Sequence, residues 1–170
     1  MRWLILITLF VSTVFADWYS FKKAGVMPVK NQLYINECAA CHFGYQPGLL
    51  PSNSWKKMMS GLENHFGVDA TLLEEDFKAI SKYLDENSAE KALGYKRSKK
   101  IARSMRNDGN IIAISKTPYF IKEHREIPSR FISQKEVKGL FNCTACHTTA
   151  QKGIYSERDI LIPNYGRWDD

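Results

Sequence analysis

Apolar residues recur along most of the chain at three- and four-residue steps, the period of amphipathic helices, and no strand pattern competes. From Asn31 to Cys41, Leu33, Tyr34 and Ile35 offer apolar contacts for a first helix. From Asn53 onward, Trp55, Met58, Met59, Leu62 and Phe66 predict a second, with His65 on the stripe of Met58 and Leu62 and with Gly67 ending it. Thr71-x-x-Glu74 has the form of a capping box, and Leu73, Phe77, Ile80 and Leu84 follow at steps of 4, 3 and 4 residues. That third helix is expected to cross the first. Asp85 to Leu93 is polar and helix-compatible, and Asp108-Gly109-Asn110 reads as a turn. Further on, Thr117 can cap a helix with Pro118 at its first position, Phe120 and Ile121 precede His124 on one face, and Pro128 stops the element. Ser133-x-x-Glu136 is a second capping box, with Val137, Leu140 and Phe141 lining a helix that would deliver Cys143 and Cys146. The pattern predicts an all-α protein.

Composition narrows the class. With 170 residues, 44% hydrophobic and 12% aromatic, the chain is too apolar to be a disordered tail and fits one ordinary domain or two very small ones. The 10 Gly and 6 Pro exclude collagen-like and low-complexity readings. The start of the chain reads as an export signal. Met1-Arg2 give a positive beginning, Trp3 to Phe15 an apolar run, and Val14-Phe15-Ala16 a small-x-small cleavage site, so residues 1–16 are expected to be a signal peptide removed after Ala16. An uncleaved anchor is the rival. No other stretch approaches a bilayer span, so the mature chain is expected to be soluble, basic and periplasmic, without a transmembrane segment.

Export changes how the cysteines are read, because an oxidising compartment pairs thiols that nothing else engages. All four lie in Cys38-Ala39-Ala40-Cys41-His42 and Cys143-Thr144-Ala145-Cys146-His147. Each is C-x-x-C-H, the attachment signal of c-type haem. Two thiols one helical turn apart reach the two vinyl groups of one porphyrin, and the adjoining histidine is carried under the iron as proximal ligand. A thioredoxin-like dithiol would need only one C-x-x-C, in a βαβ context that the sequence lacks. Zinc would leave the repeated C-x-x-C-H form unexplained, and a disulfide across so short a loop is strained. The motifs predict two haems c, with His42 and His147 as proximal ligands.

The far side of each iron decides between electron transfer and small-molecule chemistry. His65 and His124 are the remaining histidines, the first 23 positions after His42 and the second 23 before His147. Met58, Met59 and Met105 are rival ligands, Met27 being weaker because Pro28 follows it. A methionine at the first iron would raise its potential and leave His65 structural. Two imidazoles on each iron use all four histidines, and His/Met at one haem is the runner-up.

Taken together, Glu37 to His42, Pro47-Gly48-Leu49-Leu50-Pro51, Ser54-Trp55 and Gly61 to Gly67 resemble the bacterial dihaem cytochromes c. So do Thr117 to Phe120, Glu123 to Pro128, Cys143 to His147 and Ile162-Pro163 in the second half. These are small periplasmic electron carriers whose N-terminal domain is similar to class I cytochromes c. The resemblance covers most of residues 31–165, while Ala89 to Asn110 carries no motif of the family. It implies that His65 and His124 are the distal ligands. It also implies redox partner proteins: other cytochromes, in some cases a small oxygen-binding cytochrome or a membrane b-type cytochrome.

The resulting expectation is two small haem-organised domains, residues 17–90 and 91–170, in which each porphyrin supplies apolar surface that a short chain lacks. The function expected is one-electron transfer and not enzymatic turnover. A small peroxidase-like or nitrogen-oxide-reducing enzyme with one dissociable ligand is the rival. Lys96, Lys99, Lys100 and Arg103 share one helical face, read first as a solvated stripe and second as a docking patch for an acidic partner. Nucleic acid is not expected as a partner after export.

Overall fold

The computed structural model describes residues 23–106 and 110–168. The expected signal peptide and the Asp108-Gly109 half of the expected turn lie outside the described residues. Six short helices follow one another: α1 (Gln32–Cys38), α2 (Ser52–Met59), α3 (Glu74–Glu86), α4 (Lys96–Ser104), α5 (Pro118–His124) and α6 (Ser129–Ile132). The all-α expectation holds apart from one antiparallel pair of two-residue strands, β1 (Leu161–Ile162) and β2 (Gly166–Arg167). Among the described residues, no helix is long and apolar enough to cross a membrane.

α1 starts where the Asn31 side chain accepts the Tyr34 backbone N–H at 2.9 Å, an N-cap bond. It ends at Cys38, a turn earlier than expected, because Ala39 leaves helical geometry and the attachment loop turns out of the helix. Tyr34 is buried, donates its hydroxyl to the Tyr45 carbonyl at 2.7 Å and packs its ring 5.5 Å from Tyr83. That contact brings α3 against α1. α2 buries Trp55 and Met59 on α3, and the Trp55 indole donates to the Pro47 carbonyl at 2.8 Å.

Three expected segments differ. The second helix stops at Met59 and does not run to Gly67; a 3-10 turn over Leu62–Asn64 follows. Phe66 and Gly67 then take positive φ, and His65 and Val68 exchange backbone hydrogen bonds at 2.8 and 3.1 Å. Phe66 is consequently 62% exposed and not part of a core stripe. Thr71 does not cap α3, because its hydroxyl is bonded to Asp69; Leu73 is the N-cap, and Glu74, Glu75 and Asp76 offset the helix dipole in the first turn. The helix predicted after Ser133 does not form. Ser133 closes α6 from behind, donating its N–H to Ser129, and Lys138 and Gly139 adopt positive φ that no α-helix accommodates.

The core is continuous from Val26 through Leu50, Ile80, Leu84 and Ile101 to Ile114, Ala150 and Tyr155. Polar bonds join its ends. The fully buried Gln46 donates to the Ala150 carbonyl at 2.7 Å and accepts the Tyr155 hydroxyl at 2.6 Å. Gly25 and Val26 both donate their N–H groups to the Gly153 carbonyl. Gly153 has φ +68°, and a Cβ there would lie 2.3 Å from the Val26 carbonyl oxygen. Gly153→Ala should therefore cost about 2 kcal/mol through strain and backbone overlap, read as a lower guanidinium midpoint of the haem-loaded protein.

Candidate haem sites

Both C-x-x-C-H segments come to rest opposite one of the spare histidines. In the N-terminal site, the break after Cys38 and the reversal at Phe66 bring the rings of His42 and His65 to a centroid separation of 6.1 Å, inclined by 28°. In the C-terminal site, the rings of His147 and His124 are also 6.1 Å apart, inclined by 76°. Each of the four histidines singled out in the sequence thus has another as a ring neighbour.

Local bonds orient the rings. His42 Nδ1 lies 2.8 Å from the Phe43 carbonyl and His124 Nδ1 lies 2.8 Å from the Phe120 carbonyl. A carbonyl only accepts, so each Nδ1 carries the proton and each Nε2 keeps a free lone pair, the arrangement used by histidine metal ligands. The Phe120 ring stacks on His124 at 3.8 Å and 8°, fixing its plane. His147 is held by its backbone N–H, which donates to the Cys143 carbonyl at 2.8 Å; its Nδ1 is buried with no hydrogen-bond partner among the described residues.

Burial favours the neutral form of His65, His124 and His147. His65 is pushed below the ordinary histidine range by desolvation and then by His42. Desolvation likewise lowers His124, and it lowers His147 to about 4, with His124 and Arg97 adding to the effect. Neutral imidazole is the metal-binding form. No disulfide joins the four cysteines, so each is available to a porphyrin vinyl group, and before attachment burial raises the Cys38 and Cys143 thiols to about 11.

The arrangement discriminates between cofactors. Among the described residues no group of three or more His, Cys, Asp or Glu converges as a metal cage, so a zinc ion needing four protein ligands is not served. Two facing imidazoles suit a metal that arrives with its own equatorial donors. Their spacing fits two metal–nitrogen bonds of about 2 Å plus the two ring radii. Beside the C-terminal pair, a cavity of about 280 Å³ is lined by Ile114, Phe120, Val137 and Cys143, an apolar wall suited to a porphyrin. Met59 and Met105 are buried in the core and Met58 packs against it.

Several residues at the C-terminal site escaped the sequence reading. Arg97 lies within the basic α4 segment, yet it points inward beside Tyr119, Glu123 and Tyr155, while Lys96, Lys99, Lys100 and Arg103 face outward. The signal available was its position off the Lys96/Lys99/Lys100/Arg103 face and next to buried Ser98.

A helical fold with two covalent attachment motifs and two facing histidine pairs defines a c-type cytochrome with two haems. The dihaem cytochrome c family profile matches residues 34–155, and the chain belongs to that family. It is similar to the diheme cytochrome type c of Shewanella baltica OS155, at 34% identity and TM-score 0.66 over 82% of this chain and 98% of that one. It is also similar to the diheme cytochrome c of Rhodobacter sphaeroides, at 36% identity and TM-score 0.67 over 76% of this chain and 100% of that one. No relative was found among curated proteins. The chain accordingly carries two haems c.

α5 presents His124 only while its first turn is held. Thr117 is fully buried, accepts the Phe120 N–H and donates to the Ile114 carbonyl at 2.9 Å. Thr117→Ala should cost about 1–2 kcal/mol, as for other lost N-caps, with Thr117→Ser restoring most of it in denaturant melts of the haem-loaded protein.

Proposed function

We propose that the protein is an exported, periplasmic one-electron carrier in which His42 with His65, and His124 with His147, hold the two irons from both sides. The observation that carries this reading is the shared 6.1 Å spacing of two ring pairs assembled from unrelated segments. When bound, each haem supplies a one-electron ferric/ferrous couple whose potential depends on its ligands and surroundings.

The chain's own residues suit that task. Cys38, Cys41, Cys143 and Cys146 hold the porphyrins by thioethers. The Phe43 and Phe120 carbonyls fix the ring tautomers and raise ligand basicity. With both axial positions filled by side chains on short bonded turns, no position stays open for substrate, which supports transfer over catalysis. The apolar run ending at Ala16 and the oxidising context of the attachment motifs support export.

A redox partner protein, such as another cytochrome, would find a charged face on α4. Lys96, Lys99, Lys100 and Arg103 are exposed there, and a groove between α4 and Ile154–Glu157 adds Lys23. Such a face steers an acidic partner, an attraction that added salt weakens.

Carbon monoxide tests the reading. The reduced protein should not bind it, whereas His65→Ala and His124→Ala should each bind one equivalent, at the first and second iron respectively. Prompt stoichiometric binding by the unaltered protein would favour the small dihaem enzyme.

A further inference from the structure

We propose that Arg97 sets the potential of the C-terminal haem by holding a fixed positive charge in the wall of its cavity. The inference rests on the reading that this haem is attached at Cys143–His147 and fills the cavity that Arg97 lines, and it does not depend on which group is the sixth ligand.

Arg97 is built into place from four sides. Its backbone N–H donates to the Gly25 carbonyl at 2.9 Å, and a Cβ on Gly25 would come within 3.0 Å of its stem. Its guanidinium donates to the Tyr119 hydroxyl at 2.9 Å and to the Tyr155 carbonyl, and lies 5.9 Å from the Tyr155 ring centroid. The same Tyr155 ring is 5.3 Å from that of His147. Arg97 thus lines the cavity from a position fixed by both neighbouring loops.

One group opposes it. Glu123, which precedes His124, has Oε2 3.7 Å from the guanidinium and accepts the Tyr119 hydroxyl at 3.0 Å. The two side chains are 23% and 26% exposed, so water screens them less than the surface charges Lys122, Arg125, Glu126 and Glu157 that also border the cavity.

The sign follows from electrostatics. Reduction moves one electron from an external donor onto ferric iron, with no bond made or broken, and lowers the site's charge by one. A nearby cation therefore favours the ferrous form and raises the potential, while an anion lowers it.

The test is a mediated redox titration of the haem-loaded protein, followed by absorbance and by electron paramagnetic resonance so that the two irons are separated. Arg97→Met should lower one couple and leave the other in place. Arg97→Lys, which keeps the charge, should shift that couple less. Glu123→Gln should raise the same couple. A structural role alone would not reverse sign between Arg97→Met and Glu123→Gln. Unmoved potentials, equal shifts of both couples, or the same direction for both variants would overturn the proposal. Ferric spectra of the same samples report ligation separately: a high-spin or thioether-ligated second iron would contradict the two-imidazole reading while leaving the charge effect measurable.

Discussion

Two imidazole rings set opposite one another at a fixed distance are the constraint to which the fold answers. Each pair joins a ring that follows an attachment motif to one presented by a separate element, and no short peptide fixes such a spacing alone. The break in α1 after Cys38, the reversal at Phe66-Gly67 and the Thr117 cap of α5 are local means to that end. The polar bonds among Gln46, Ala150 and Tyr155 then keep the two haem-bearing halves against one another.

The two sites are built differently. His42 is exposed and its partner stands on a surface turn, whereas His124 and His147 are more deeply set, with Phe120, Tyr155 and Arg97 around them. A haem in the second setting meets a lower dielectric and a fixed cation, and both disfavour the ferric state. The ring planes differ as well, nearly parallel in the first pair and nearly perpendicular in the second. A carrier with two unlike centres can impose a direction on an electron; identical ones cannot.

Much of this was legible in the sequence, for identifiable reasons. C-x-x-C-H is a local covalent requirement, so spacing alone reveals it. His65 and His124 could be singled out because the chain contains just four histidines. Helical periodicity located α2 and α3 because each buries a stripe, and α5 was marked by its Thr117 cap with Pro118 at the first position. It failed where the backbone must turn to aim a side chain: Phe66 looks apolar and lies outside, and the Ser133 box is overridden by the conformations of Lys138 and Gly139. Gln46 and Arg97 were invisible as joints, since a polar residue in a pattern of faces reads as surface until its partners are known.

The central claim is that both irons carry two imidazoles, and electron paramagnetic resonance of the ferric protein tests it most directly. Near-parallel rings split the iron π orbitals and give a rhombic low-spin signal, while near-perpendicular rings leave them almost degenerate and give a highly anisotropic one. The account predicts one signal of each kind in equal amounts, the rhombic one lost in His65→Ala and the anisotropic one lost in His124→Ala. A high-spin signal from either iron in the unaltered protein, or an iron–thioether absorption band, would contradict it.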